Sequence, residues 1–209
     1  EFEDKVFGKE KKNTIVETSG KKGNWNKTLN KELEPNKIYR VDSYNYHTDE
    51  LGRVNNVNGK LDFTTKGRNT YQQGKSVELK NGLKGEDDGG HIIAQIFNGP
   101  GEQINYVPML RNLNRGAYKK MENTLVKAAK KGKEVCMDIK LIYKGSSKRP
   151  DKLIVHYTID GVAYKRIFSN RFSKPIKNIA EKNSLLTQKN VVNKSVKTKD
   201  YLSGFDKKF

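Results

Sequence analysis

A histidine, an asparagine and a glutamate in the middle of the chain are the side chains best suited to chemistry. His91 follows two glycines, and Asn114 and Glu122 stand eight residues apart further on. An imidazole can take a proton from an attacking water. Hard cations such as Mg²⁺ bind oxygen ligands and keep several waters, so one or two protein oxygens suffice. Because such a cation stabilises charge on a phosphate and its leaving oxygen, these residue types fit phosphodiester hydrolysis.

Residues 112–131 are expected to form the helix that carries two of these side chains. Apolar residues recur there at every fourth position, which is the spacing of one helix face: Leu113, Ala117, Met121 and Leu125. Asn112 or Asn114 can cap the start, and Gly132 follows the last turn. On an ideal α-helix Asn114 and Glu122 lie about 80° apart. An amide oxygen and a carboxylate should therefore border one side of this helix.

Two short strands should bring His91 to that helix. Residues 85–94 and 104–109 have strand character, and the run Asn98-Gly99-Pro100-Gly101 between them predicts a loop. Together with the helix they form a β-β-α unit.

Further strands are expected on both sides of this unit. The pattern predicts strands at residues 38–46, 53–63, 76–79, 134–143, 153–159 and 162–168, and a loop at 67–73. Turn signals stand at Asp49-Glu50-Leu51-Gly52, at Asn58-Gly59 and at Asp160-Gly161, the last a type I′ hairpin signal. The expected fold class is α+β, with an antiparallel β-sheet core that carries the β-β-α unit.

Several spaced motifs resemble the DNA/RNA non-specific endonucleases of the ββα-metal, or His-Me finger, class. Sequences of that class contain, in this order, the motifs D-R-G-H, N-x-x-P-Q and N-x-G-x-W. A glutamate follows eight residues after the asparagine of the third motif. The matching residues here are Asp88-Gly89-Gly90-His91, Asn105-x-x-Pro108, Asn114-Arg115-Gly116-Ala117-Tyr118 and Glu122. The ordered agreement of several elements makes the resemblance specific, and it covers roughly residues 39–170. Residues 97–102 and 147–150 look like the branch found as C-terminal domains of type VII-secreted polymorphic toxins (LXG and EsaD-like).

The resemblance implies a role for each matching side chain. His91 would be the general base, Asn114 the metal ligand, and Glu122 a catalytic residue that supports the waters of the metal. Asn105 would serve catalysis as scaffolding that holds the two arms of the finger by hydrogen bonds. Asp88 would bond the backbone and fix its loop. The ordinary alternatives are a structural histidine, a capping asparagine and a solvated surface glutamate.

Two departures from the family pattern bear on these roles. The arginine of D-R-G-H is Gly89 here, so a cation near the scissile phosphate must come from elsewhere. Arg68, Arg111 and Arg115 are the candidates for substrate binding, and Arg115 is also a candidate catalytic residue. For Arg68 and Arg115 a merely solvated role is an equal alternative. In addition, the family's glutamine and tryptophan are Met109 and Tyr118.

The charge balance favours a polyanionic partner. The formal net charge is +18, with a sequence pI near 9.8. Nucleic acid is the first expectation and an anionic membrane surface the second. No apolar run is long enough to insert into a membrane. A single cysteine, Cys136, excludes an internal disulfide, and with three histidines it makes a structural zinc site improbable.

Composition divides the chain into three parts. Residues 1–36 read as a lead-in or arm, 37–172 as the ββα-metal domain, and 173–209 as a basic extension packed on that domain or trailing from it. No signal peptide is visible and there is no initiator Met, so we expect a processed piece of a longer protein.

The resemblance and the charge together predict an Mg²⁺-dependent, sequence-non-specific endonuclease. One Mg²⁺ per site is expected, with Mn²⁺ able to substitute, and the products would carry 5′-phosphate ends. DNA is the expected substrate, and RNA is left open. The resemblance further implies a toxin that is secreted from a bacterium, acts inside a target cell, and has a cognate immunity protein, for which the charge favours an acidic one. The alternative is a non-catalytic basic nucleic-acid-binding module, which would need no metal.

Overall fold

The computed structural model describes residues 13–64 and 67–172 of the chain. Within these ranges the strands are β1 (Thr14–Glu17), β2 (Ile38–Val41), β3 (Tyr44–Thr48), β4 (Val54–Lys60), β5 (Asp87–His91), β6 (Tyr106–Leu110), β7 (Val135–Tyr143), β8 (Pro150–Ile159) and β9 (Val162–Ser169). The helices are α1 (Thr70–Leu79), a π-helix (Leu113–Tyr118) and α2 (Lys119–Lys130). Short 3₁₀ turns occupy Thr28–Asn30, Gln95–Phe97 and Gln103–Asn105.

Seven of these strands form one sheet in the order β1-β2-β3-β4-β7-β8-β9. Only the β1–β2 pair is parallel, and the others are antiparallel. Strands β5 and β6 form a separate antiparallel hairpin, followed by the π-helix and α2. The predicted α+β class, with an antiparallel sheet that carries a β-β-α finger, is confirmed.

The sheet and the finger share one hydrophobic core. Alternate residues of β3, β7 and β8 are buried, as the strand pleat requires. The sheet contributes Tyr46 and Ile139, and the finger contributes Ile93 and Leu125, all at most 1% exposed. Each such fully buried aliphatic side chain contributes about 1.5–3 kcal/mol. The sheet thus acts as a platform for the finger.

Four local predictions are wrong. Residues 38–46 form two strands, because Asp42 adopts a left-handed φ of 51° and turns the chain. Asn58-Gly59 is not a turn but lies inside β4, where a Cβ on Gly59 would come within 2.6 Å of the Ser43 carbonyl. Residues 76–79 belong to α1 and not to a strand. The side chain of Asn69 caps α1 by accepting the Gln72 N–H at 3.1 Å, within the stretch 67–73 that was expected to be a loop.

The predicted helix 112–131 is present in a different form. Its first part is a π-helix and only its second part is α-helical. Neither Asn112 nor Asn114 caps the start, because Asn112 makes no capping bond and Asn114 bonds elsewhere. Gly132 ends the helix with a φ of 74°, as predicted. The wider π-turn changes the phase between Asn114 and Glu122, so the 80° estimate does not apply.

The outer strands agree well with prediction. The hairpin β8–β9 turns at Asp160 and Gly161, whose φ angles of 48° and 80° are those of a type I′ turn. Strand β1 lies in the stretch 1–36 that was expected to be an arm, and it pairs with β2. The boundaries at 36 and 172 stay a prediction, and the expected extension 173–209 lies outside the described residues. None of the described helices has the length and apolar character needed to cross a membrane.

Candidate active site

His91 ends β5 directly opposite Tyr106 at the start of β6. The two rings lie against each other, with centroids 4.5 Å apart and planes tilted by 54°. Burial, followed by the positive charges of Arg68 and Lys119, lowers the pKa of His91 to about 4. The imidazole is therefore neutral near pH 7 and able to accept a proton.

Asn105 lies beneath the hairpin and is fully buried. Its carboxamide oxygen accepts the Tyr46 hydroxyl at 3.0 Å and the Ile93 N–H at 2.9 Å. Its nitrogen donates to the carbonyls of Ile93 at 2.8 Å and Pro100 at 3.0 Å. All the hydrogen bonds of this amide therefore tie the loop after His91 to the second arm of the finger and to the sheet.

Asn114 lies on the π-helix and faces β5. Its Nδ2 donates to Asp88 Oδ2 at 3.2 Å. A Cβ built on Gly90 would be 2.9 Å from Met109 and 3.3 Å from Asn114 Oδ1, so a larger residue there would have to displace Met109 and would crowd the amide oxygen. The amide oxygen of Asn114 thus lies beside the residue that precedes His91.

Asp88 contacts side chains, and the expectation that it bonds the backbone finds no support. Besides Asn114, it accepts both N–H groups of the Arg115 fork at 2.7 and 3.0 Å, and Arg111 approaches to 3.5 Å. Burial alone would raise the pKa of Asp88, but the bonds from Arg115 and Asn114 outweigh it and hold the pKa below its usual value. Asp88 is therefore ionised at neutral pH.

The three candidate arginines are not equivalent. Arg111 and Arg115 both lie on Asp88, although their side chains are 47% and 67% exposed. Arg68 is exposed and donates to Gln95 Oε1 at 3.4 Å. It forms no ion pair with any carboxylate in the described ranges, and its charge acts on His91. Arg68 is thus the candidate whose charge remains available beside the histidine.

Glu122 is on α2, with a side chain only 13% exposed. It forms an ion pair with Lys119 at 3.1 Å. Burial raises the pKa of Glu122, and the Lys119 charge offsets part of that rise. The charge of Lys119 also contributes to lowering the pKa of His91, so the Glu122–Lys119 pair affects the histidine electrostatically.

The absence of an arginine at position 89 has a steric cause. A Cβ on Gly89 would lie 1.8 Å from the Gln73 carbonyl oxygen and 2.6 Å from Ser76 Oγ, both on α1. Gln73 also donates its side-chain amide to the Gly89 carbonyl at 3.0 Å. Helix α1 therefore occupies the space that the side chain of any larger residue at position 89 would need.

A buried ion pair fixes the start of β5. Arg149 makes two bonds to Asp87, at 2.7 and 2.8 Å, and donates to the Asn170 carbonyl at 2.6 Å. Asn170 in turn bonds the backbone of Leu110 and of Pro108 at 2.8 and 3.0 Å. Both strands of the finger are thus anchored to the far end of the sheet, and the Asp87 carboxylate is engaged by an arginine.

Sequence reasoning missed three contributors: Tyr106, Lys119 and the Asp88 side-chain contacts. Tyr106 could have been found from the register of the predicted hairpin, which places it opposite His91. Lys119 stands three residues before Glu122, a spacing at which helical side chains meet. The bond from Asn114 to Asp88 spans 26 residues, and no local signal indicates it.

The described residues contain no group of three or more His, Cys, Asp or Glu side chains arranged to hold a metal ion. The donors here are instead one carboxamide oxygen and a largely buried carboxylate. Because Asp88 holds the Asn114 nitrogen, the oxygen is the atom left to bind a ligand. A single amide oxygen suits a hard cation that keeps most of its waters.

Known proteins similar to this chain agree with these observations. The family model described as DNA/RNA non-specific endonuclease matches residues 35–161. The type VII secretion system protein EssD of Staphylococcus aureus (strain USA300) is 33% identical over 141 residues. That match covers 63% of this chain but only 22% of EssD, so the chain spans about a fifth of the length of the curated relatives it matches.

The fold also matches a solved structure. The crystal structure of NucA from Streptococcus agalactiae with magnesium bound aligns with a TM-score of 0.50 and 14% identity, covering 68% of this chain and 78% of NucA. At that identity the likeness shows the fold alone.

Proposed function

This chain belongs to the DNA/RNA non-specific endonuclease family and is a hydrolytic nuclease, and we propose that it cuts DNA in an Mg²⁺-dependent reaction at the His91 site. One observation carries the proposal. Asp88 holds the Asn114 amide so that its oxygen lies beside Gly90, the residue that precedes the neutral His91. A metal-binding oxygen and a proton acceptor therefore stand at one end of β5.

Asn114 Oδ1 would hold the ion directly, and Glu122 would accept hydrogen bonds from its waters. When bound, Mg²⁺ supplies positive charge next to the scissile phosphate and its leaving oxygen. The structure of NucA with magnesium bound makes magnesium the first ion to test, and Mn²⁺ the expected substitute. Asn114 and Glu122 leave most coordination positions to water and substrate, which fits a hard cation.

His91 takes the proton from a water that attacks phosphorus. The phosphorus–O3′ bond breaks, so one product ends in a 5′-phosphate and the other in a 3′-hydroxyl. Arg68 contacts a phosphate oxygen, because it is the one of the three candidate arginines that has no carboxylate partner in the described ranges. Arg111 and Arg115 reach the substrate only if they leave Asp88. The net charge of +18 favours contacts with the phosphate backbone of the nucleic acid, and these contacts do not depend on base sequence. Binding should therefore weaken steeply as the salt concentration rises.

A plasmid-digestion experiment tests this reaction. His91→Ala and Asn114→Ala should each lower the cleavage rate at least about a hundredfold in Mg²⁺. His156→Ala and Asn123→Ala are matched controls, because both residues are exposed and lie outside the site. Parental rates in both site variants would refute the assignment. Kinase labelling of the products should need prior phosphatase treatment if the ends are 5′-phosphates.

The same gels separate this proposal from a non-catalytic nucleic-acid-binding module. A binding module would shift DNA in a gel equally well with EDTA, and it would cut nothing. The nuclease should lose cleavage in EDTA and regain it when Mg²⁺ is added in excess. Running DNA and RNA side by side decides whether RNA is a second substrate.

The likeness to EssD supports a biological role. We propose that the chain is the nuclease part of an antibacterial toxin, secreted from a bacterium and active inside a target cell, with an acidic immunity protein in the producer. Expression of the chain in a bacterial cytoplasm should arrest growth, whereas His91→Ala should be tolerated. An acidic protein encoded next to the toxin should co-purify with it and relieve the arrest.

A further inference from the structure

A cavity of about 260 Å³ lies beside β6, whose Val107 lines it. None of the candidate active-site residues lines it. Its apolar wall is formed by Leu33, Val54, Leu79, Ile104, Val107 and Tyr143. Its polar wall includes Lys80, the residue that follows α1.

Lys80 is a half-buried residue in the wall of this cavity. Its Nζ donates to the backbone carbonyls of Tyr106 and, at 2.5 Å, of Gln103. In its protonated form the amino group has three N–H donors, so one is left over, and a carboxylate bound beside it would favour that form. Within residues 13–64 and 67–172 no carboxylate forms an ion pair with Lys80. Burial, with a smaller contribution from the Lys148 charge, lowers the pKa of Lys80 to about 7.

The other charged groups around the cavity do not compensate this cation. Arg53 is engaged by Asp49 at 2.7 Å, and Lys148 by Glu32 at 2.6 Å. Lys31 adds a further positive charge to the wall. Buried charges in folded proteins are normally paired, because an uncompensated one is expensive. Protonated Lys80 thus has one unused N–H and no carboxylate partner in the described ranges, in a cavity whose wall combines apolar side chains with three other cations and the Lys148-paired carboxylate of Glu32.

We propose that this cavity binds a small amphipathic carboxylate. The carboxylate accepts the third N–H of Lys80, and the apolar body packs against Leu79, Ile104 and Val107. A nucleic-acid backbone does not fit this description, because the apolar wall offers nothing to a sugar–phosphate chain. The cavity also adjoins the active-site hairpin, since Lys80 holds the carbonyl of Tyr106, whose ring contacts His91.

Calorimetric titration of the full chain with sodium octanoate tests the proposal. The His91→Ala variant avoids toxicity without touching the cavity. Octan-1-ol has the apolar body without the charge, and acetate has the charge without the apolar body. Octylammonium has the same apolar body with a charge of the opposite sign. Octanoate should bind one per chain and at least about tenfold more tightly than any of the three, the difference expected for one charge-assisted bond plus apolar burial. Equal binding of octanol or acetate would overturn the proposal.

Two variants at the exposed rim locate the site. Leu79 is 51% exposed, so its replacement leaves the core intact. Leu79→Glu places a competing carboxylate beside Lys80 and should weaken octanoate binding at least about tenfold, while Leu79→Gln, of the same size but uncharged, should not. Lys80→Met should also abolish binding, provided that its circular dichroism matches the parent. If octanoate binds Leu79→Glu and Leu79→Gln equally, the ligand is elsewhere and the proposal fails.

Discussion

The carboxylate of Asp88 accepts the side-chain N–H of Asn114 at 3.2 Å and both N–H groups of the Arg115 fork. One residue therefore orients the proposed metal ligand and engages an arginine that was a candidate for the substrate. Mutation of a group that orients a metal ligand typically lowers metal affinity or activity about 10- to 100-fold. Asp88 is thus better described as a positioning residue than as a loop-fixing residue.

Removing Asp88 should weaken the metal site more than the fold. Asp88→Ala frees the Asn114 amide to rotate, so the Mg²⁺ concentration for half-maximal cleavage should rise about 10- to 100-fold. Rates measured over a Mg²⁺ series on one DNA substrate give this value. Arg40→Gln is the control, since Arg40 is an exposed arginine on β2 that bonds Asn45. An unchanged Mg²⁺ requirement in Asp88→Ala would show that the contact does not position the ligand.

The cleavage rate should begin to fall, on the acid limb of its pH profile, only at a pH well below the usual pKa range of histidine. With the pKa of His91 near 4, the imidazole stays neutral and competent until the pH falls towards that value. Arg68→Gln removes a cation that disfavours the protonated ring, so it should move the limb of kcat/KM upward. Arg40→Gln, an exposed arginine on β2, should leave it in place. A limb that does not move in Arg68→Gln would contradict the assigned proximity of the two groups.

The lowered pKa of His91 also predicts the direction in which the stability of the protein changes with pH. The folded pKa of His91 lies below the unfolded value of about 6.5, so the unfolded chain binds the proton first. The contribution of His91 to stability is therefore complete above pH 6.5 and is lost as the pH falls towards 4. Urea unfolding between pH 7 and 4.5 should show a smaller loss of stability for His91→Ala than for the parent. An identical loss in the two proteins would contradict a buried, neutral His91.

Two glycines close together in space should respond oppositely to alanine. Gly89→Ala forces a methyl group to within 1.8 Å of the Gln73 carbonyl and should lower the free energy of unfolding by more than about 1 kcal/mol. Gly74→Ala, with nothing within 4 Å of its new methyl and a position inside α1, should raise it by about 0.5–1 kcal/mol. Urea denaturation of both variants decides this. Equal tolerance at both positions would mean that α1 does not pack on β5 as described.

Asn105 should contribute to the stability of the fold more than to the cleavage reaction. Asn105→Ala leaves the Ile93 N–H and the Ile93 and Pro100 carbonyls without their partner, so unfolding should become easier by about 3 kcal/mol or more. Asn123→Ala, on the exposed face of α2, should change stability by less than about 0.5 kcal/mol. If Asn105→Ala unfolds like the parent but cleaves poorly, the residue acts in the chemistry directly.

The features that could be predicted from the sequence are those that a short stretch of residues specifies by itself. The hairpin β8–β9 was predictable because Asp160-Gly161 encodes its turn. Helix α1 was not, because its residues show no strong apolar face, and the capping by Asn69 and the packing on Gly89 are what hold it. Asn58-Gly59 has turn chemistry, yet pairing with β3 and β7 on both sides keeps it in a strand. Contacts between distant residues, such as Arg149 with Asp87, carry no local signal at all.

The central claim is that Asn114 holds the metal and that His91 does not. Titration of Mn²⁺ at pH 7, followed by the loss of its free-ion electron paramagnetic resonance signal, measures binding without any cleavage. We expect one Mn²⁺ per chain for the parent, retained by His91→Ala and lost in Asn114→Ala. Loss of the ion in His91→Ala together with unchanged binding in Asn114→Ala would contradict the account.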